Sequence, residues 1–170
     1  MNLSMYQASV PVYIRMLNNL VTIMKKAETH AKKRKIDLDV YFSARLAPDM
    51  FPFYRQVQIA CDMVSRSVAR LAGLEIPSTE DREKNFDDLY KRIEHTIDYL
   101  GTVQEEAING TETRKISFEI RGMALELSGM TYLLYFVLPN FYFHITTAYD
   151  ILRHNGVELT KPDFLGKPPE

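Results

Sequence analysis

The chain is poor in cysteine and has no excess of either charge. Cys61 is its single cysteine, so an internal disulfide is excluded, and with it a disulfide-stabilised secreted scaffold. Lys and Arg number 21 against 22 Asp and Glu, a formal net charge of −1 at pH 7, which provides no general attraction for nucleic acid or an anionic membrane. The N-terminal residues also lack the basic stretch and apolar run of a secretory signal. We therefore expect a cytoplasmic protein whose partners include neither nucleic acid nor a membrane.

Common motifs of enzymes are absent too. The sequence contains no glycine-rich phosphate-binding loop, no Cys-x-x-Cys pair and no G-x-S-x-G. Cys61 falls on the apolar face of a predicted helix, where a free cysteine is more often a packing residue than a nucleophile. The sequence thus leaves open whether the chain is an enzyme.

The composition is that of a folded globular protein. With 170 residues, 46% hydrophobic and 25% charged, the chain is not disordered as a whole and has the usual size of one domain. We expect a single domain over residues 1–170.

Four segments carry apolar residues at three- and four-residue steps, the spacing of amphipathic helices. The first predicted helix covers Val10 to about Ala31, and the second opens at Pro48 and Pro52 and runs to about Ala72. The third extends from a cap at Ser78 or Thr79 to an end near Gly101 to Glu106, and the last spans about Met130 to His154. Between the last two, apolar and polar residues alternate around a break at Arg121-Gly122, which predicts a β-hairpin from Arg114 to Gly129. The predicted fold class is all-α, a four-helix bundle with a small β-hairpin inserted between helices 3 and 4.

The last predicted helix is unusual because it has no Asp, Glu, Lys or Arg from Gly129 to Tyr149. The stretch is long enough to span a bilayer, but it contains Pro139, Asn140 and His144, and the other helices have strongly charged faces. A bundle helix covered on more than one side, by the hairpin and its neighbours or by a second subunit, fits better. Pro139 should kink this helix or restrict it to residues on its C-terminal side.

His144 is the histidine most suited to a functional site. Its helical phase places it on the apolar side of the last helix, whereas His30, His95 and His154 are predicted to be solvated. Asn140 precedes it by one turn, so the two side chains can meet or converge on one ligand. The alternative is structural, because a buried imidazole can simply be satisfied by the Asn140 amide, a tyrosine hydroxyl or a backbone carbonyl.

The segment His144-Ile-Thr-Thr-Ala-Tyr-Asp-Ile-Leu-Arg153-His-Asn-Gly156-Val resembles the closing helix of the DinB/YfiT-like superfamily. Four further segments are Met5-Tyr-Gln-Ala-Ser-Val-Pro-Val, Arg45-Leu-Ala-Pro-Asp-Met-Phe-Pro, Arg55-Gln-Val-Gln-Ile-Ala and Pro139-Asn-Phe-Tyr-Phe-His144. They resemble an uncharacterised bacterial family within that superfamily, a domain of unknown function.

The resemblance implies an up-down-down-up four-helix bundle, often dimeric, with a pocket that in many relatives holds a divalent metal through three histidines. Matched to that pattern, His144 takes the place of the final ligand, Asn140 that of the ligand before it, and Gln58 approximately that of the ligand on the second helix. Amide oxygens bind zinc or nickel more weakly than imidazole does, so such a metal would be held poorly unless another group joined. Asp62 is the obvious addition, but its helical phase predicts that it points away from the apolar stripe.

Three functions remain in competition. The first is a metal-free pocket, lined by Gln58, Asn140 and His144, that binds a small polar molecule. The second is a hydrolase or thiol transferase resembling the metal-dependent enzymes of the superfamily, with zinc or nickel as its cofactor. The third is a homodimeric association module whose contact surface is the uncharged last helix or the hairpin.

Overall fold

Helices make up most of the computed structural model, which describes residues 3–120 and 122–168. The helices are α1 (Val10–Arg34), α2 (Leu38–Ser43), α3 (Phe53–Ala72), α4 (Phe86–Thr102), α5 (Glu105–Ile108), α6 (Gly129–Thr131), α7 (Leu138–His154) and α8 (Lys161–Leu165). The strands are β1 (Lys115–Ile120) and β2 (Met123–Ser128), and a π-helical segment (Tyr132–Val137) joins α6 to α7. The predicted segments of apolar periodicity correspond to α1, α3, α4 and the continuous run from α6 to α7.

The predicted start of the third long helix is wrong. Neither Ser78 nor Thr79 caps α4, which begins only after Asn85, whose side-chain oxygen accepts a hydrogen bond from the Asp88 amide at 2.9 Å. Residues 74–85 instead form a connection between α3 and α4. Its acidic side chains bind arginines of both helices, so long-range ion pairs outweigh the local capping preference of Ser and Thr.

The predicted hairpin is confirmed. Strands β1 and β2 pair antiparallel, with Lys115 opposite Ser128 and Ile120 opposite Met123. Gly122 has a φ of 80°, as a tight hairpin turn requires, whereas Arg121 of the predicted break lies outside the described residues. The ring of Phe118 in β1 packs on that of Phe136 in the π-helical segment, with 4.9 Å between the ring centres. This contact holds the hairpin against the helices.

The π-helical segment ends at Val137, two residues before Pro139. Proline has no N–H to donate, and its ring clashes with the carbonyl four residues earlier in an α-helix. A π-helix uses a wider hydrogen-bonding step, which accommodates both effects. The expected disturbance at Pro139 is therefore a change of helix type before it, and helical structure continues on both sides of the residue.

Within the described part of the chain, the helix from α6 to α7 is covered on one side. Leu133, Val137, Phe141 and Ile145 are fully buried, whereas the opposite side leaves large uncharged side chains exposed. Among the described helices, none combines the length and apolar character that crossing a membrane requires.

Helix α3 is central because it packs against both α4 and α7, while α1 packs against the same two helices. Cys61 of α3 is buried between them, and this burial raises the pKa of its thiol to about 12. A thiol with so high a pKa is a poor nucleophile at neutral pH, which favours the packing interpretation. The centre of the molecule is thus apolar, and its polar chemistry lies where α3 meets α7 and the hairpin.

Candidate functional site

His144 of α7 is half-buried and contacts a glutamine of α3. Its Nδ1 lies 2.7 Å from Oε1 of Gln56, and Nε2 of Gln56 donates to the carbonyl of Phe51 at 2.9 Å. Because that second bond fixes the orientation of the amide, Oε1 of Gln56 accepts and Nδ1 of His144 carries the proton. The imidazole is therefore held in one tautomer by a buried neighbour.

The other ring nitrogen of His144 is available for binding. Burial, together with the positive charge of Arg55, lowers the pKa of His144 to about 4, so the ring is neutral at pH 7. In the tautomer set by Gln56, Nε2 then has a free lone pair. No described residue bonds to Nε2, and the atom is reached by solvent. It can accept a hydrogen bond from a ligand.

A cavity of about 450 Å³ lies beside His144. Asn140 and His144 both line it from α7, so the structure brings these two predicted residues together. The Asn140 amide donates to the carbonyl of Phe136 at 2.6 Å, and its Oδ1 makes no hydrogen bond to the described part of the chain. The α3 wall of the cavity is rich in arginine but also contains Asp62, and β1 and the π-helical segment add Phe118, Glu119 and Phe136.

Gln58 is placed elsewhere. It is buried, but it does not line the cavity. Its Oε1 accepts from Arg55 at 3.0 Å, and its Nε2 donates to Oε2 of Glu83 at 2.6 Å. The amide that meets His144 is that of Gln56, two positions earlier and on a different side of α3. The apolar spacing of α3 contains no signal that distinguishes these two buried glutamines.

The predicted outward direction of Asp62 is wrong. The Asp62 carboxylate lines the cavity and bonds to two arginines, Arg66 at 3.1 Å and Arg92 at 2.6 Å. The pair with Arg66 follows from the i,i+4 spacing of the two residues on α3. The bond to Arg92 arises because α3 buries two faces, one against α7 and one against α4.

Arg92 of α4 is the central cation of a buried network of ion pairs next to the cavity. Its side chain is only 2% exposed, and besides Asp62 it contacts Glu83 at 2.8 Å and Asp81 at 3.1 Å. Asp81 also pairs with Arg55, which lines the cavity. The network therefore attaches the connection 74–85 to α3 and α4 and fixes the arginine-rich wall.

The side chains at the cavity fit a divalent metal poorly. Within residues 3–120 and 122–168, no group of three or more His, Cys, Asp or Glu is arranged to hold an ion. His144 offers a single imidazole, and Gln58 is committed to Arg55 and Glu83. The zinc or nickel site that the family resemblance implies stays a prediction, to be tested by metal analysis of protein purified without chelators.

Comparison with known proteins gives a family and a similar structure. Residues 5–165 match the family model DUF1993, described as a domain of unknown function. The crystal structure of a DinB family member protein from Shewanella denitrificans is similar, with a TM-score of 0.92 and 42% sequence identity, covering 97% of this chain and 93% of that chain. No curated protein matches.

Proposed function

The chain belongs to the DUF1993 family, a DinB-like family of unknown function, and we propose that its cavity beside His144 binds a small polar molecule. Of the three predicted ligand-binding residues Gln58, Asn140 and His144, this proposal keeps Asn140 and His144. These two residues contact the ligand, and Gln56 orients the imidazole of His144. The proposal includes a single domain over residues 1–170 with the up-down-down-up four-helix bundle expected for DinB-like proteins.

One observation carries this proposal, the hydrogen bond of 2.7 Å between His144 Nδ1 and Gln56 Oε1. A histidine serving only to satisfy a core contact needs no accessible second nitrogen. Here the buried amide fixes Nδ1 as the donor, so Nε2 is an acceptor beside a cavity that Asn140 also lines. Small-molecule sites typically combine such convergent polar atoms with apolar walls.

A thermal shift screen with small polar metabolites tests the proposal. We expect at least one compound to raise the melting temperature of the wild type by about 3–6 °C at ten times its Kd. His144→Ala should lose this shift because the acceptor is removed. The shift should persist from pH 8 to about pH 5 and decline near pH 4, where protonation of Nε2 converts it from an acceptor to a donor.

His95→Ala is the matched control, because His95 is exposed on α4 and does not line the cavity. It should respond to the same compounds as the wild type does. Identical ligand-induced shifts in the wild type and His144→Ala, across the whole panel, would contradict a site at His144.

A homodimer is a second proposal, and the exposed side of the last helix favours it. Tyr135 is 79% exposed, Phe143 55% and Leu134 44%, on a side of the helix that carries no charge. A second copy of the chain would bury this apolar surface. Light scattering should give a dimer for the wild type and for Val40→Lys, a charge placed on an exposed apolar residue of α2, but a monomer for Tyr135→Lys. A wild type that stays monomeric at high concentration would contradict the proposal.

A further inference from the structure

The connection 74–85 is held to the helices by side chains, at two points of different strength. Among the described residues, no backbone hydrogen bond joins residues 75–84 to α3 or α4. At one point the carboxylate of Glu83, only 9% exposed, contacts Arg92 at 2.8 Å. At the other, the carboxylate of Asp81, 38% exposed, contacts Arg55 and, at 3.1 Å, Arg92. An ion pair near the surface contributes little to stability, so the attachment at Asp81 is the one that can open.

Arg55 is the cation that Asp81 neutralises at the cavity. Its Nη1 donates to Oδ2 of Asp81 and, at 3.0 Å, to Oε1 of Gln58. No described residue bonds to its Nε or Nη2, and both atoms are reached by solvent. Arg55 directly precedes Gln56, which orients His144, and its charge contributes to the lowered pKa of His144. The guanidinium is therefore a cation with unused donors at the His144 end of the cavity.

Neither carboxylate that lines the cavity replaces Asp81 as the partner of Arg55. Both oxygens of Asp62 are occupied by other arginines. Glu119 lies on β1, and its carboxylate forms no ion pair with a described residue. The charge of Arg70 is about 22 Å from Arg55 along α3, well beyond the roughly 8 Å over which exposed charges act at physiological salt. The charge at the Arg55 end of the cavity thus depends on Asp81.

We propose that the carboxylate of Asp81 is a built-in competitor for an anion-binding site at Arg55. A small anion, such as a carboxylate or phosphate group, binds the free Nε and Nη2 edge of the guanidinium through two parallel hydrogen bonds. Two anions on one guanidinium repel each other, so the bound anion displaces Asp81. Arg55 also lies in the first turn of α3, where the helix dipole favours negative charge.

Displacement of Asp81 opens the connection 74–85 locally. Glu83 stays bound to Arg92, because this pair is shielded from solvent. The inference rests on the proposed function in treating the cavity as a binding site, and it adds how the charge at the His144 end is controlled. With Asp81 in place that end is neutral, and without it the same end attracts anions.

An NMR titration of the isotope-labelled full chain with inorganic phosphate at pH 7 tests the competition, with sodium chloride keeping the ionic strength constant. Asp81→Asn removes the competing charge and keeps the size of the side chain. It should bind phosphate about five-fold more tightly than the wild type or better, with signal changes at Arg55 and Gln56, since an exposed ion pair no longer competes. Combining it with Arg55→Met should abolish this gain.

Limited trypsin cleavage tests the opening of the connection. Arg82 is exposed and lies between the two points of attachment. In the wild type, saturating phosphate should make cleavage after Arg82 about two-fold faster or more, because the connection is released at Asp81. Sodium chloride at the same ionic strength should have a smaller effect, and Arg55→Met should not respond to phosphate. An equal response to both salts would contradict displacement by a bound anion.

Glu80→Gln is the matched control for net charge. Glu80 lies in the same connection and is 67% exposed, but it pairs with Arg82 instead of Arg55. Glu119→Gln is a second control, because Glu119 lines the cavity without pairing with Arg55. Both variants should bind phosphate within about two-fold of the wild type. A gain in either control equal to that of Asp81→Asn would overturn a specific competition at Arg55.

Failure of this inference and failure of the proposed function give different results. If Asp81→Asn binds phosphate no better than the wild type, or if its gain persists without Arg55, the inference fails while the His144 site is unaffected. If the thermal shifts are identical in the wild type and His144→Ala but the phosphate gain depends on Arg55, the proposed function fails and the anion site at Arg55 stands.

Discussion

Alanine in place of Gly129 is expected to lower the free energy of unfolding by about 3 kcal/mol or more, or about 6–12 °C in melting temperature. A Cβ at this position would lie 2.0 Å from the carbonyl oxygen of Thr111. The neighbouring backbone cannot easily move away, because the amide of Met130 donates to the carbonyl of Glu112 at 2.9 Å. Thermal and urea denaturation of the variant would measure the loss.

Gly101→Ala is the matched control for this prediction. Gly101 lies in the last turn of α4, and nothing is within 4 Å of a Cβ placed there. The same added methyl group should be neutral or stabilise the protein by up to about 1 kcal/mol, since alanine is the better helix former. Equal stability of the Gly129 and Gly101 variants would mean that the backbone at position 129 does not lie close to the Thr111 carbonyl.

The long helices and the hairpin were predictable because their signals are local. The three- and four-residue spacing that predicts a helix from Val10 is set by helix geometry, and α1 begins at that residue. The alternation around Phe118 similarly identifies β1. The start of α4 also has a local signal, the N-cap Asn85. Ser78 and Thr79 offer the same signal, and the choice of Asn85 depends on the ion pairs of Asp81 and Glu83 with arginines of α3 and α4.

The candidate site was predictable only in part, for the same reason. Asn140 and His144 are one turn apart, so helical phase alone places them together. The partner of His144 is Gln56, 88 positions away in sequence, and choosing it over Gln58 requires the relative rotation of α3 and α7. The outward direction predicted for Asp62 is wrong because α3 buries a second face, against α4, besides its apolar stripe.

Replacing Arg92 by methionine is expected to destabilise the protein by about 3–5 kcal/mol. Its side chain is 2% exposed, and its loss leaves the carboxylates of Asp62 and Glu83 without their shared cation in a region where Glu83 is only 9% exposed. The connection 74–85 would also lose its main attachment to α4. Urea denaturation gives the change in free energy, and proteolysis within residues 74–85 should become faster.

Two further variants test whether the uncompensated charge of the carboxylates causes the destabilisation expected for Arg92→Met. Arg66→Met removes another partner of Asp62, but Arg66 is 44% exposed, so the cost should stay below about 1 kcal/mol. Adding Glu83→Gln to Arg92→Met removes the buried negative charge while keeping an oxygen that can accept from Gln58. The double variant should therefore be at least about 1 kcal/mol more stable than Arg92→Met alone. If Glu83→Gln instead destabilises the wild type and Arg92→Met equally, the two side chains are not coupled, and lost packing rather than charge accounts for the effect of Arg92.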